Sequence, residues 1–192
     1  MTATRSVELV GEETTGNVAR AALFAALVGA FAYVTFPHPT TAVPVTLQVL
    51  GVFLAGIMLG PVWGGASMVL YLAAGAVGAP IFSGGAAGFG YLLGSPTLGY
   101  LWSYPIAAAV VGLLVHGGVE TTAYRQVSLL RLVGAMVAGT VVIYALGTVG
   151  FAIVQRVGLW EAFVLSALAF LPFEAVKIAA AVGIVRHDAL AV

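Results

Sequence analysis

Two charged residues, Glu174 and Lys177, stand in the last apolar stretch of the chain, and Lys177 is its only lysine. A charge at bilayer depth costs about 2.5–3.5 kcal/mol on insertion scales, so an ionisable residue in a span faces the protein interior and usually marks a site. Three residues apart on a helix, the two side chains share one face. Glutamate supplies hydrogen-bond acceptors and lysine supplies donors, so together they match a ligand group that has both. We therefore expect the pair to bind the polar end of a ligand; the alternative is a structural pair that holds the helix against a neighbour.

Two further polar residues, Thr46 and Gln48, follow Pro44 near the predicted start of the second span. Thr46 has the hydroxyl of a helix cap, and Gln48 can hydrogen-bond between helices. A role for Gln48 in contacting a ligand is the equal alternative. We treat both residues as candidate ligand contacts.

Residues 78–90 are rich in glycine and alanine and show no helical periodicity. Lipid cannot satisfy free backbone groups, so irregular backbone at membrane depth must be buried in protein or line a polar cavity. This segment is therefore predicted to cover or line a cavity, with Gly84 and Gly85 as candidate ligand contacts. For Trp102 and Tyr104 the expected role is an interfacial aromatic belt. Aromatic residues nearer the glycine-rich segment are candidates for the wall of an apolar pocket, namely Tyr71, Phe82, Phe89, Tyr91 and Tyr100.

The composition indicates an all-α integral membrane protein. Hydrophobic residues make up 61% of the chain and charged residues 7%, and the mean hydropathy is +1.11. Between Arg20 and Glu120 the sequence has no Asp, Glu, Lys or Arg, and a soluble domain could not cover its surface with such a segment. The formal net charge is zero, so no electrostatic argument supports nucleic-acid binding.

About six transmembrane helices are predicted to position these residues. They form a single membrane domain over residues 18–186, with a polar tail over 1–17, where Thr14, Thr15 or Asn17 is available as a helix cap, and a short tail over 187–192. A break is expected at Gly60-Pro61, and Pro172 is expected to loosen the last span. The predicted spans are residues 18–36, 46–59, 64–77, 91 or 98 to 115, 132–154 and 163–185.

The arginines predict the orientation in the plasma membrane. With six spans, five arginines share the side of the termini and Arg156 alone falls opposite. The positive-inside rule then places both termini in the cytoplasm. The segments 37–44 and 78–90 are expected outside, closing over a ligand that arrives from outside the cell. The five arginines are Arg5, Arg20, Arg125, Arg131 and Arg186.

No enzymatic chemistry is expected. Residues 84–90 are glycine-rich but lack the Gly-Lys-Ser/Thr of a phosphate-binding loop. The three histidines lie far apart near different span ends, so no metal site is predicted. The only aspartate is Asp188 in the tail, so a Ser/His/Asp triad is not credible, and cysteine is absent.

Small residues form two rows on the first span. Ala21 and Ala25 lie in one row and Ala22 and Ala26 in the other. Small residues at this spacing let helices approach closely. The contact is either internal or with a partner subunit.

Three parts of the sequence, taken in order and spacing, resemble the BioY family, the biotin-binding S-component of energy-coupling factor (ECF) vitamin transporters. The resemblance covers about residues 21–185. The segments are residues 44–50 with 54–61, residues 70–85 with 93–101, and residues 172–177.

The resemblance implies a bundle of six membrane helices that binds biotin at its outer face, with no cofactor. It implies an energising module of one membrane coupling subunit and two ATPases, and docking of that module on the alanine rows of the first helix. Glu174 and Lys177 match the family's last-helix ligand motif, Gln48 matches its glutamine, and Tyr71 and Tyr100 match its tyrosines. These residues, with Thr46, Gly84, Gly85 and Phe89, form the predicted ligand site.

Two positions depart from the family's pattern. The acidic position is usually Asp, and Glu174 is one methylene longer. The family's Gly-Pro-Thr-Gly-Gly-Tyr is Ser-Pro-Thr-Leu-Gly-Tyr here, so Leu98 is expected to narrow the pocket or stiffen the loop. Either end of biotin fits the Glu174–Lys177 pair, because the ureido group has donors and acceptors and the carboxylate can meet the lysine.

Three other functions compete with biotin capture. The first is the same fold with another small vitamin as ligand. The second is a proton- or ion-conducting protein in which Glu174 titrates, which the lack of another buried acid in any span disfavours. The third is a purely structural membrane subunit, which would bind no small molecule.

Overall fold

The computed structural model describes residues 11–36 and 43–187. Within these ranges the regular secondary structure is helical apart from one two-stranded antiparallel sheet, β1 (Thr35–Phe36) with β2 (Val45–Thr46). Short 3₁₀ turns cover Ser83–Gly85, Tyr124–Gln126 and Leu168–Phe170. The helices are α1 (Glu12–Phe31), α2 (Gln48–Ala76), α3 (Phe89–Gly94), α4 (Leu98–His116), α5 (Leu129–Gln155), α6 (Leu159–Ser166) and α7 (Leu171–Arg186).

Helix α2 is a helical hairpin rather than a straight rod. Gly60 has φ 77°, a left-handed conformation that glycine adopts readily, and Pro61 has no N–H to continue the helix. The amide Nε2 of Gln48 lies 2.6 Å from the hydroxyl of Tyr71, although a straight helix would separate these residues by roughly 34 Å. The arms 48–59 and 61–76 therefore run antiparallel, as the predicted break at Gly60-Pro61 requires.

Five helical segments of the described chain are long and apolar enough to cross a membrane. They are α1, α2, α4, α5 and the run Leu159–Arg186 that contains α6 and α7. Because α2 folds back on itself, it supplies two of the six predicted spans. The prediction of an all-α, multi-pass membrane protein is confirmed.

The first helix begins and ends earlier than predicted. It starts at Glu12, so Thr14, Thr15 and Asn17 lie inside the helix and do not cap it; Gly11 holds the N-cap position. The acidic residues of the first turn favour this start, because negative charge is stabilising at a helix N-terminus. The helix ends at Phe31, and residues 35–36 pair with 45–46 as strands.

The predicted last span is broken in two. Ala167, with φ −124° and ψ −62°, ends α6, and α7 begins at Leu171 with Pro172 in its first turn. A proline is tolerated in a first helical turn but not in a helix interior, which explains why the break precedes it. Glu174 consequently lies in the first turn of α7, where a carboxylate is electrostatically favoured.

The core is built on the packing of α2 against α4, with α5 on the far side of α4 and α1 on α2. Glycines bring α2 and α4 together backbone to backbone. A methyl group placed on Gly56 would lie 2.5 Å from the carbonyl oxygen of Ala108, and one on Gly112 would lie 2.5 Å from the nitrogen of Pro61. Such close approach is typical of helix packing in membranes.

The two alanine rows of α1 face in different directions. Ala21 is fully buried and Ala25 is 8% exposed, whereas Ala22 and Ala26 are exposed. The prediction that all four dock a partner is therefore wrong for Ala21 and Ala25, because these two already pack inside the protein. Ala22 and Ala26 remain accessible.

His116 ties the turn of the α2 hairpin to the end of α4. Pro61 has no N–H to offer the carbonyl of Ile57, and His116 Nε2 lies 3.0 Å from that oxygen. The backbone N–H of Thr122 donates to His116 Nδ1 at 2.9 Å, so Nδ1 is an acceptor and the ring proton is on Nε2.

Replacing His116 with Leu is expected to lower the free energy of unfolding by about 1–3 kcal/mol, because the Ile57 carbonyl would be buried without a donor. Thermal unfolding in detergent measures this loss. Val119→Ala is the control, since Val119 lies in the adjoining loop and is 63% exposed. Equal stability of the two variants would contradict the assigned role of the histidine.

Candidate ligand-binding site

A cavity lies where the start of α2, the first turns of α4 and α7, and the middle of α5 meet. It encloses about 480 Å³ of empty space, counting the part open to solvent. We call it the main cavity. Its lining includes five of the predicted ligand contacts, namely Thr46, Gln48, Tyr100, Glu174 and Lys177.

The predicted charged pair is formed at the base of the main cavity. Lys177 Nζ lies 2.6 Å from Glu174 Oε1, and the hydroxyl of Tyr144 donates to the same oxygen at 2.9 Å. Lys177 is 5% exposed and Glu174 is 2% exposed. The pair therefore neutralises itself in a dry environment and does not depend on water.

The second carboxylate oxygen of Glu174 has a different environment. Oε2 is buried and has no hydrogen-bond partner among the described residues. A buried carboxylate oxygen without a donor is costly, by about 1–3 kcal/mol or more for a charged group. Glu174 lines the main cavity, so an N–H or O–H of a bound ligand that reaches this oxygen would satisfy it.

Gln48 is held in place by a chain of hydrogen bonds. Thr46 Oγ1 donates to Gln48 Oε1 at 3.0 Å, and Gln48 Nε2 donates to the hydroxyl of Tyr71 at 2.6 Å. The Tyr71 hydroxyl donates onward to the carbonyl of Ile81 at 3.1 Å. The network fixes the orientation of the Gln48 amide and links the start of α2 to the segment after α2.

Aromatic side chains form the remaining wall. Tyr100 meets Tyr144 edge to face, with ring centroids 5.7 Å apart, and Phe170 lies 6.4 Å from Tyr144. The hydroxyl of Tyr100 donates to the carbonyl of Ser166 at the end of α6. Tyr104 is 4% exposed and lines the main cavity, so its predicted place in an interfacial belt is wrong.

Four of the predicted ligand contacts lie outside the main cavity. Tyr71 is fully buried and accepts a hydrogen bond from Gln48. It can therefore affect a bound ligand only by orienting the Gln48 amide. Gly84 lines an adjoining cavity of about 580 Å³. Gly85 lines neither cavity. The atoms nearest to a methyl group built on it belong to the side chain of Tyr33, at 3.7 Å. Phe89 is 57% exposed and lines neither cavity.

Leu98 does not narrow the main cavity. It is the first residue of α4 and does not line the cavity. Its Cδ1 lies 3.2 Å from the position of a methyl group built on Gly150, so the side chain packs against α5. The loop residues 37–42, which were predicted to help close the site, lie outside the described residues.

Sequence reasoning missed the contribution of α5. Tyr144, which hydrogen-bonds Glu174, lies in a row with Thr140 and Thr148 at helical spacing, and all three are 8% exposed. Hydroxyl groups repeated every four residues in an apolar span are a signal of an inward-facing polar stripe. Phe170 and Thr97 also line the main cavity, but no sequence pattern singles them out.

The chain is similar to proteins of one family. A model described as the BioY family matches residues 3–191. The biotin transporter BioY of Rhodobacter capsulatus is 38% identical over 171 residues, which cover 84% of this chain and 87% of that protein. The probable biotin transporter BioY of Pyrococcus horikoshii is also 38% identical, over 86% of this chain and 91% of its own.

One solved structure has the same fold. It is a crystal structure at 2.1 Å of the S-component for biotin from an ECF-type ABC transporter, with a TM-score of 0.78 and 22% sequence identity over 93% of both chains.

Proposed function

The chain belongs to the BioY family, and we propose that it is the biotin-binding membrane subunit of an ECF-type importer. The observation that carries the proposal is the Glu174–Lys177 pair at the base of an aromatic cavity, with a buried acceptor, Oε2, that no described residue satisfies. A ligand that brings its own donor would satisfy this oxygen. Biotin has one in its ureido group.

We propose that the ureido group faces the pair. A ureido N–H donates to Glu174 Oε2, and the ureido carbonyl accepts from Lys177 Nζ, whose contact with Glu174 uses one of its three protons. The fused rings then lie against Tyr100 and Tyr144, where an apolar body is favoured. In this arrangement the ureido N–H and the ureido carbonyl each have a hydrogen-bond partner, and so does Glu174 Oε2.

The opposite orientation is disfavoured by charge. A carboxylate has no N–H for Glu174 Oε2. Bound to Lys177, it would lie close to the Glu174 carboxylate, and two like charges 5 Å apart repel by about 3 kcal/mol at an effective dielectric constant near 20. The alkyl chain and carboxyl group therefore extend away from the pair.

The proposed orientation in the membrane follows from the arginines. Arg186 donates to backbone carbonyls at Arg125 and Val127, and Arg131 Nε donates to the carbonyl of Leu114. These contacts gather positive charge at the end of the bundle opposite the first turns of α4 and α7. The positive-inside rule places this end, with both termini, in the cytoplasm. The main cavity then faces the outside.

Energy for uptake must come from another subunit. A phosphate-binding loop is missing from the sequence. A coupling membrane subunit with two ATPases is the proposed partner. Ala22 and Ala26 are exposed on α1 and provide the small-residue surface on which a membrane helix can pack closely.

Calorimetric titration of the detergent-solubilised protein with biotin tests the proposal, with Tyr144→Phe as the informative variant. Binding by the parent protein and a loss of about tenfold or more in the variant are expected, because a hydrogen bond to a charged group contributes about 1.5–3 kcal/mol. Tyr33→Phe is the control, since Tyr33 is 57% exposed and bonds the carbonyl of Pro80 outside the main cavity.

A folded parent protein that does not bind biotin would refute the assignment of the ligand. The same titrations with other heterocyclic vitamins would then identify the alternative. A proton relay through Glu174 has no support in the structure, because no other acidic side chain is buried in the described spans.

A further inference from the structure

We propose that this site takes amides of biotin at its valeryl carboxyl group as well as free biotin. The inference rests on the proposed function and on the proposed orientation of the ureido group. If the ureido group of biotin hydrogen-bonds to Glu174 and Lys177, the carboxyl end of biotin lies in the adjoining cavity. The chemistry of that cavity then decides whether the carboxyl charge is recognised.

The adjoining cavity borders the main cavity. Pro44, Ser83 and Thr97 line both, so these three residues stand at the boundary between them. In the proposed arrangement, the alkyl chain of a ligand held at Glu174 crosses this boundary. Its far end then lies among the residues of the adjoining cavity, such as Gly84 and Tyr91.

The described lining of the adjoining cavity has no charged residue. It consists of hydroxyl-bearing, glycine and proline residues, namely Thr35, Pro44, Ser83, Gly84, Tyr91, Pro96 and Thr97. The sequence extends this result, because it has no Lys or Arg between Arg20 and Arg125. His38, the one histidine before α4, lies outside the described residues.

No other cation among the described residues lines the adjoining cavity. Lys177 is paired with Glu174 at 2.6 Å. Arg156, at the end of α5, is exposed and lines neither cavity. A carboxylate in the adjoining cavity therefore meets neutral groups and solvent in the described part of the site.

Hydroxyl groups do not distinguish an acid from an amide. The hydroxyls of Ser83 and Tyr91 can donate to a carboxylate or to an amide carbonyl, and they can accept from an amide N–H. The Thr97 hydroxyl donates to the Tyr91 hydroxyl at 3.2 Å and can act as an acceptor. Specificity of this site therefore lies in the ureido ring system. The class of ligand it accepts is biotin with a free or amide-linked carboxyl group.

Competition calorimetry with biotin and its primary amide, biotinamide, tests this inference on the unmodified protein. Biotinamide is expected to bind within about threefold of biotin, and a ureido N-methyl derivative is expected to lose about a hundredfold or more, since a site that hydrogen-bonds a group rejects the analogue that lacks it. The affinity for biotin is expected to be insensitive to salt, because no ion pair holds its carboxylate.

Other outcomes are equally clear. Biotin binding with a loss of about thirtyfold or more for biotinamide would overturn the inference and leave the proposed function intact, because it would show recognition of the carboxylate charge. Failure of biotin itself to bind would refute the proposed function instead. In Lys177→Met, equal losses for the two ligands support the inference, and a larger loss for biotin would place the carboxylate on Lys177.

Discussion

Lys177→Met is expected to weaken biotin binding by about a hundredfold or more, the largest effect of any substitution in the site. The change removes the donor for the ureido carbonyl and leaves Glu174, which is 2% exposed, without its 2.6 Å partner. Breaking a buried ion pair by removing one side costs about 3–5 kcal/mol, because the remaining charge is uncompensated. Part of that cost appears as lower stability and part as lost affinity. Calorimetric titration with biotin and thermal unfolding of the same sample measure the two parts.

The double variant Glu174→Gln/Lys177→Met separates folding from binding. Replacing both members of a buried pair by neutral groups of similar volume is often nearly neutral for stability. The double variant is therefore expected to regain the unfolding temperature of the parent protein but not its affinity for biotin. Arg156→Met, which removes a cation outside the cavity, is the matched control. Lys177→Met that binds biotin within about threefold of the parent would contradict the role of the pair.

Gly112→Leu is expected to prevent the protein from folding. A methyl group at this position would lie 2.5 Å from the nitrogen of Pro61 and 2.6 Å from the carbonyl carbon of Gly60. Both are backbone atoms at the turn of the α2 hairpin, and they cannot rotate away as a side chain can. Overpacking costs about 1–3 kcal/mol even where side chains can adjust, so a larger penalty is expected here. Size-exclusion chromatography of the detergent extract measures the folded fraction.

The control for this prediction is Gly134→Leu. Gly134 lies in α5, as deep in a helix as Gly112 lies in α4, and no atom lies within 4 Å of a methyl group built on it. The variant is expected to fold and to bind biotin like the parent protein. Folding of both variants to the same extent would show that α2 and α4 do not approach as closely as described.

Residue type and spacing were sufficient to predict the main features of the fold. Long apolar stretches define membrane helices because lipid admits only segments whose backbone groups are internally bonded. The break at Gly60-Pro61 was predictable because proline removes a backbone donor and glycine permits the left-handed turn. The Glu174–Lys177 pair was predictable because ionisable residues in a span are costly unless they are paired.

Features that depend on three-dimensional packing were not predictable from the sequence. Which row of α1 faces inward depends on where α2 lies. The sequence could therefore not show that Ala21 is buried and that Ala22 is exposed. Tyr104 has the residue type expected at a membrane interface, but α4 turns it towards the main cavity. The break before α7 was expected to be a loosening at Pro172, and the structure places it at Ala167.

The α2 hairpin also bears on how the protein is assembled in the bilayer. Its first arm, residues 48–59, is about 18 Å long, well short of a hydrocarbon core of about 30 Å. The surrounding helices compensate for this mismatch, because 78% of the most apolar stretch of α2 is buried inside the protein, compared with 22% of that of α1. We therefore expect α1 to be stable in lipid with few contacts to its neighbours. The hairpin is expected to reach its final position only after α4, which is synthesised after it, has packed against it, so the part that holds Gln48 would settle later than its place in the sequence suggests.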